Sequence, residues 1–303
     1  MPSLYRTWQE FIDAFWHVGG VIEAAPSCYP TQIVSPSVSF FVAPDGEIDL
    51  IGSFDRFSAK EYINAGWFFP QTSLPNMNLM TLCKSLGDIL YEKGVIGHVT
   101  VDLIAFPDPT NPKAHPLFWA VDLNWYLTDY AAACFHFDLL MEGRIDKFTG
   151  QYFVEVQRDP DELVDTDVIN ETKDKVNKNE FFEPRNFMFC KYLHHPGLAT
   201  IQFNTFFHMC RLESVSYDME KRTGSTFCLY DCLQGGVIGL ITVGEQKKQT
   251  VNYMVEALNF IQNQAGVIPS KALSEDSTRV DEINVGDVFS RVISLVSYFK
   301  KGR

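Results

Sequence analysis

Two β-favouring apolar runs on either side of a proline-rich stretch predict a β-hairpin. The runs are 99–106 and 119–126, and residues 107–116 between them are rich in proline and polar side chains. Proline has no backbone N–H to give to a ladder, so this stretch is expected to form a surface loop. The two runs are therefore predicted to pair as antiparallel strands.

Two aspartates lie inside these runs. A symmetric closure of the hairpin would place Asp102 opposite Asp122, with the paired side chains roughly 5 Å apart. Because side chains alternate along a strand, both acids would share a face with Thr100 and Asn124. The other face would be apolar, formed by Val101, Leu103, Val121 and Leu123.

Acids placed this closely favour a bound cation. Two neighbouring carboxylates repel each other, so one takes up a proton unless a cation lies between them. The side-chain oxygens of Asp102, Asp122 and Asn124 are hard ligands of the kind that Mg²⁺ prefers. Two alternatives stay open: the acids face water on the open side of the sheet, or a register slip of one residue separates them.

Hydrophobic periodicity predicts the other elements. Helices are expected at 8–17, 79–93, 129–142 and 245–264, with a last one around 288–296. The helix at 129–142 is expected to bury Ala131, Ala132, Phe135, Leu139 and Leu140. Strands are expected at 21–25, 37–42, 47–52, 151–157, 187–194, 199–210, 225–232 and 237–243, although 203–217 fits a helix equally well. Residues 66–75 are expected to be irregular.

A change of composition divides the chain. Residues 159–183 are dense in charged and amide side chains and are predicted to be a solvated connection. They would separate a first lobe, 1–158, from a smaller α/β lobe, 184–268. A polar tail with an amphipathic helix, 269–303, would follow.

Charge and cysteine content limit the function classes. The formal net charge of −13 argues against non-specific binding to nucleic acid or to an anionic membrane. Seven irregularly spaced cysteines predict buried thiols in a reducing compartment. No apolar run is long enough to span a bilayer, and no signal peptide begins the chain, so a cytoplasmic location is expected. Cys228 and Cys232 have no histidine nearby in sequence to complete a zinc set.

The order of several short motifs resembles the ATP-grasp superfamily. The motifs are 19–23 (GGVIE), 35–38 (SPSV), 45–47 (DGE), 54–55 (FD), 97–102 (GHVTVD), 121–124 (VDLN) and 207–209 (FHM). Residues 236–244 are also similar to the end of the peptide-forming carboxylate–amine ligases of that superfamily. The resemblance implies an α+β fold, with an ATP-grasp-like antiparallel sheet, flanking helices and a smaller α/β lobe.

The resemblance also implies a site and its cofactors, Mg²⁺ and ATP. ATP-grasp enzymes use ATP to activate a carboxylate as an acyl phosphate, which an amine or another nucleophile then attacks. Carried over by position, Asp102 and Asp122 would hold Mg²⁺ on the nucleotide phosphates, and Asn124 would complete the metal site. Glu23 would lie near the ribose or adenine, and Asp55 would also belong to the nucleotide-binding residues.

Two departures from the family pattern bear on catalysis. Family enzymes carry Glu-x-Asn-x-Arg where this chain has Asp122 to Tyr126, so a cation is replaced by a phenol. The family's phosphate-binding lysines and lid lie upstream of the position of Glu23, where this chain has only a short helix. Either the chain is a fragment of a longer protein, or it has lost catalysis.

Three functions are therefore predicted in order of preference. The first is a nucleotide-binding module with weak or lost ligase activity. The second is an ATP-dependent carboxylate–amine ligase that acts within a longer protein. The third is a non-catalytic scaffold that binds a protein partner through its C-terminal lobe or tail.

Overall fold

The computed structural model describes residues 5–22, 24–26, 33–60, 63–111, 116–157, 180–229, 235–264 and 283–284, together with 288, 291, 292 and 294. The helices are α1 (Trp8–Val18), α2 (Asn76–Glu92), α3 (Asp129–Met141), α4 (Phe203–Leu212) and α5 (Lys247–Gln264). The strands are β1 (Pro36–Val42), β2 (Ile48–Lys60), β3 (Ile63–Phe69), β4 (Gly97–Phe106), β5 (Leu117–Asn124), β6 (Arg144–Ile145), β7 (Tyr152–Gln157), β8 (Glu180–His194), β9 (Tyr217–Asp218), β10 (Thr223–Cys228), β11 (Val237–Gly244) and β12 (Ile283–Asn284). The predicted α+β class is confirmed.

The described strands form one sheet. Its main path has the order β5-β4-β1-β2-β3-β8-β11-β10-β9, while β7 joins β8 and carries β6, and β12 also pairs with β8. The pairs β1–β2, β1–β4, β2–β3, β3–β8 and β8–β11 are antiparallel. The sheet therefore runs without a break from the predicted first lobe into the residues of the predicted second lobe.

The chain divides by its internal contacts into two compact units. One unit is 1–33 with 105–118, and the other is 34–104 with 119–303. In the first unit α1 begins at Trp8, and its N-cap is Thr7, whose Oγ1 accepts a hydrogen bond from the N–H of Glu10 at 3.2 Å. This N-cap confirms the predicted start of the helix. None of the residues of α1 is buried.

Two apolar clusters form the core of the second unit. One includes residues of β2, α3, β3, β7 and β8, and among its members are Phe54, Trp67, Phe137, Tyr152 and Phe187. The other includes residues of β8, β11, α4 and α5, and among its members are Met188, Cys190, Phe206, Leu240 and Leu258. The alternation of Phe187, Met188 and Phe189 along β8 sends successive side chains to opposite clusters. The central strands are therefore covered on both faces.

Several predicted elements differ from the structure. The expected strand at 21–25 is absent among its described residues, and Val21 and Ile22 are exposed. Residues 66–69, the first part of the stretch expected to be irregular, belong instead to β3, because Gly66 leaves room for the carbonyl oxygen of Phe189 and does not end the strand. Residues 180–183, expected in a solvated connection, belong to β8. The helical alternative for the region after 203 is confirmed as α4.

The predicted buried side of α3 is wrong for most of its members. Phe135 and Leu139 are exposed, while the buried residues are Tyr130, Ala131, Ala133, Cys134, Phe137 and Met141. This helix has apolar residues on several sides, so the sequence contains two apolar stripes and periodicity alone does not choose between them. The larger rings pack against the sheet, and this packing determines which of the two stripes is buried.

Other expectations lie wholly or partly outside the described residues. They concern Glu23, the part of the charged connection at 159–179, and the polar tail before residue 283. The helical positions 288 and 292 are valines buried in the second cluster, as the predicted last helix requires. No helix in the described ranges is long and apolar enough to cross a membrane. The described cysteines, 83, 134, 190, 210 and 228, are free thiols.

Candidate functional site

Asp102 lies on β4 with its carboxylate fixed by two hydroxyl donors. Ser37, its register partner on β1, donates from Oγ to Oδ1 at 2.5 Å. Tyr130, at the start of α3, donates from its hydroxyl to the same oxygen at 2.9 Å. Asp102 is only 8% exposed. A carboxylate held by charge-assisted hydrogen bonds to one oxygen has a fixed orientation, and its second oxygen remains for another partner.

The second oxygen, Oδ2, faces a cation that was not predicted from the sequence. The Nη1 atom of Arg56 lies 3.6 Å from Oδ2 of Asp102. Arg56 belongs to β2, which is separated from β4 by β1, and its backbone N–H donates to Ser35 O at 3.1 Å. Because side chains alternate along a strand, Phe54 and Arg56 share one face of the sheet, and this is the face that carries Asp102. This alternation is the sequence feature from which the position of Arg56 could have been predicted.

Aromatic rings and a second ion pair continue this face. Trp67 is the register partner of Arg56, and its ring stacks on that of Tyr130 with centroids 4.8 Å apart. Lys191 Nζ lies 2.7 Å from Asp129 Oδ2 and 5.8 Å from the centroid of Trp67. We call the group formed by Asp102, Ser37, Arg56, Trp67, Tyr130, Lys191 and Asp129 the Asp102 face.

Asp122 and Asn124 lie on β5, next to β4 in the sheet. The two strands of the predicted hairpin are neighbours, as expected. Asp122 is exposed, and its Oδ1 accepts a hydrogen bond from the N–H of Leu123 at 2.9 Å. Asn124 donates from Nδ2 to Oδ2 of Asp122 at 3.4 Å. The side chains of Asp122 and Asn124 are thus hydrogen-bonded to each other, while their direct opposition to Asp102 and Thr100 stays a prediction.

Asp55 lies apart from Asp102. Its Oδ2 accepts the N–H of Thr72 at 2.8 Å and lies 3.8 Å from Lys247 Nζ at the start of α5. Since Asp55 and Arg56 are successive residues of β2, their side chains point to opposite faces of the sheet. Burial lowers the pKa of Lys247, and the neighbouring Asp55 opposes that shift. Glu23, the other predicted nucleotide-binding residue, is outside the described residues.

A histidine that is distant in sequence lies beside Cys228. The Nδ1 atom of His136 on α3 is 3.9 Å from the Cys228 sulfur on β10. The sequence does not indicate this pair, because the two residues are 92 positions apart. Within the described ranges, no group of three or more His, Cys, Asp or Glu residues is arranged to hold a metal.

The phenol of Tyr130 makes the stability of the protein depend on pH in the alkaline range. Burial, followed by the negative charge of Asp102, raises the pKa of Tyr130 above its usual value. The neutral phenol therefore stabilises the fold fully below the pKa of an unfolded tyrosine, about 10, and this contribution is lost as the pH rises towards the folded value.

Tyr130→Phe is accordingly expected to lose less stability than the wild type between about pH 8 and about pH 11, since it has no phenol to ionise. Urea unfolding at the two pH values, followed by circular dichroism, measures the difference. Tyr91→Phe is the control, because the Tyr91 hydroxyl donates to Pro44 O at 3.3 Å in an exposed position. Equal alkaline losses in both variants would contradict the assignment.

The comparisons with known proteins agree with the motif order. Residues 1–147, just under half of the chain, match the family model described as IQCH-like, ATP-grasp. IQ motif-containing protein H from Danio rerio is 27% identical over 245 residues, which cover 80% of this chain. The chain spans 21% of the length of that relative. The resemblance to ATP-grasp proteins, and among them to the ATP-grasp region of IQ motif-containing protein H, is confirmed.

Solved structures with a similar arrangement include two biotin carboxylases. The biotin carboxylase domain of a thermophilic 2-oxoglutarate carboxylase, bound to bicarbonate, is 11% identical with a TM-score of 0.44, covering 76% of this chain and 47% of that one. The Campylobacter jejuni biotin carboxylase in complex with β-γ-ATP is 10% identical with a TM-score of 0.42, covering 83% of this chain and 50% of that one.

Proposed function

We propose that this ATP-grasp-like chain binds a magnesium nucleotide on the Asp102 face, with Asp102, Asp122 and Asn124 as the metal ligands. One observation carries the proposal. The Asp102 carboxylate has one oxygen occupied by Ser37 and Tyr130 and directs the other towards a positive charge. An acid that is oriented in this way suits monodentate coordination of a cation.

The residue types fit the metal. Mg²⁺ takes oxygen ligands and usually binds through one or two carboxylates together with substrate phosphates. Asp102 supplies a preoriented carboxylate, while Asp122 and Asn124 supply oxygens on the exposed neighbouring strand. When bound, Mg²⁺ would neutralise phosphate charge. The matched family region, 1–147, contains all three ligands.

The proposal includes weak or lost ligase activity. Phosphoryl transfer depends on positioned positive charge, and the family's arginine is replaced by Tyr126, which is exposed. Lys191 is already paired with Asp129, so Arg56 is the loosely held cation of the described face. The second candidate is a ligase that acts within a longer protein, and the chain spans 21% of the length of the Danio rerio relative. The roles of Glu23 and Asp55 stay predictions.

Titration calorimetry with Mg·ATP tests the proposal. The wild type is expected to bind, and Asp102→Asn and Asp122→Asn are each expected to bind at least about tenfold more weakly, because a ligand charge is lost. Asp88→Asn, an exposed change on α2, is the matched control and should bind as the wild type does. Circular dichroism and thermal unfolding of each variant separate loss of the site from loss of the fold.

The outcomes distinguish the candidate functions. A folded wild type that gives no binding heat with Mg·ATP would rule out nucleotide binding by this chain and favour a scaffold. Binding without ADP release in the presence of amino-acid mixtures supports a module with lost ligase activity. ADP release that needs an added amino acid, and that disappears in Asp102→Asn, would establish a working ligase.

A further inference from the structure

The guanidinium of Arg56 is only partly satisfied. Its Nε atom is buried and has no hydrogen-bond partner, although the side chain as a whole is 23% exposed. Its contact with Asp102, at 3.6 Å, is an ion pair that is too long for a hydrogen bond. A guanidinium has five N–H donors, and leaving a buried donor unpaired is costly. Arg56 is therefore short of acceptors.

The neighbouring strand, β3, also carries a buried donor that has no acceptor. Trp67, directly across from Arg56 on β3, has a buried Nε1 with no hydrogen-bond partner. Cross-strand partners have their Cβ atoms roughly 5 Å apart on one face of the sheet. Two donors that lack acceptors thus belong to register partners on neighbouring strands, and one of them, the Arg56 guanidinium, lies beside Asp102. An anionic group rich in acceptor oxygens would satisfy both donors.

We propose that Arg56 is an exchangeable counter-ion that pairs with Asp102 in the nucleotide-free protein and transfers to a phosphate group when the magnesium nucleotide binds. This inference rests on the proposed function, since it names the residue that regulates entry to the same site. Arginine suits the role because its planar fork matches phosphate oxygens and its charge does not depend on pH.

Competition for one oxygen makes the exchange selective. Arg56 and a metal ion both require Oδ2 of Asp102, because Oδ1 already accepts two hydrogen bonds. A free metal ion must therefore displace Arg56 and leave it without an anion. A metal bound to phosphate brings a new anion for Arg56, so this displacement is compensated. The site should discriminate against free divalent cations and favour metal–phosphate complexes.

Arg56→Gln should change the two binding reactions in opposite directions. Affinity for Mn²⁺ alone, measured by electron paramagnetic resonance, is expected to rise about tenfold, because a competing positive charge is removed. Affinity for Mg·ATP, measured by calorimetry, is expected to fall about tenfold or more, because charge-assisted contacts to phosphate are lost. A residue with a purely structural role would weaken both reactions or neither.

Three further measurements define the ligand and the fold. If Arg56 recognises the phosphates, Mg·tripolyphosphate should bind more weakly to Arg56→Gln than to the wild type, as Mg·ATP does. Adenosine should bind equally to both proteins. Arg211→Gln, an exposed change on α4, is the matched control. If Arg56→Gln does not fold, Arg56→Lys keeps the charge, and it should bind Mn²⁺ as the wild type does but Mg·ATP more weakly.

The results separate this inference from the proposed function. If Asp102→Asn loses Mg·ATP binding while Arg56→Gln keeps it with unchanged Mn²⁺ affinity, the exchange is wrong and the proposed site stands. If folded wild type binds neither Mg·ATP nor Mg·tripolyphosphate, both are wrong. In the double variant Arg56→Gln with Asp102→Asn, the gain in Mn²⁺ affinity should disappear, because the oxygen that gains the metal is neutralised.

Discussion

Gly66→Ala is expected to remove most of the stability of the protein, lowering the free energy of unfolding by more than about 4 kcal/mol. A Cβ atom at this position would overlap the carbonyl oxygen of Phe189 and would lie 2.7 Å from the ring of Phe57. Phe189 cannot move away freely, because it pairs with Trp67 on one side and with Ile241 on the other. Urea unfolding followed by circular dichroism measures the loss.

Gly52→Ala is the matched control for this prediction. A Cβ atom at Gly52 would meet only side-chain atoms, of Phe54, Phe69 and Cys134, at 3.0 to 3.3 Å. Side chains adjust more easily than a backbone paired on two sides, so a loss of about 1–2 kcal/mol is expected from overpacking. Equal losses in the two variants would show that strand spacing at Gly66 is not the cause.

The elements that the sequence predicts well are those bounded by local signals. Thr7 caps α1, the turn at 44–46 joins β1 to β2, and the proline-rich stretch separates β4 from β5. Each signal acts through residues close in sequence, so it can be read without the fold. Gly66 misleads for the opposite reason, because the carbonyl of Phe189 that it accommodates belongs to a distant strand.

In the candidate site, too, the local features are predicted from the sequence and the long-range contacts are not. The sequence predicts that Asp102 and Asp122 lie on adjacent strands, because a hairpin is a local structure. It does not predict the groups that orient Asp102, since Ser37 is 65 residues away and Tyr130 is 28 residues away. Arg56 reaches Asp102 across an intervening strand. The positive charge beside Asp102 therefore comes from a residue that only the fold brings there.

Phe137→Ala is expected to destabilise the protein by about 3–5 kcal/mol, the usual loss when a fully buried ring is removed. Phe137 has no exposed surface, and its ring centroid lies 4.7 Å from that of Tyr152 and 4.8 Å from that of Phe187. The cavity left by the substitution would be lined by other large rings that cannot all move inwards. Urea unfolding at neutral pH measures the loss.

Phe135→Ala is the control that decides which side of α3 is buried, because the hydrophobic pattern predicts Phe135 and the structure buries Phe137. Phe135 is 45% exposed, so its removal should cost less than about 1 kcal/mol. A larger loss for Phe135→Ala than for Phe137→Ala would mean that α3 is rotated. Tyr130 lies two turns before Phe137 on the same side of the helix, so this rotation would also remove its hydroxyl from Asp102. The stabilities of these two variants therefore test the geometry on which the proposed magnesium site depends.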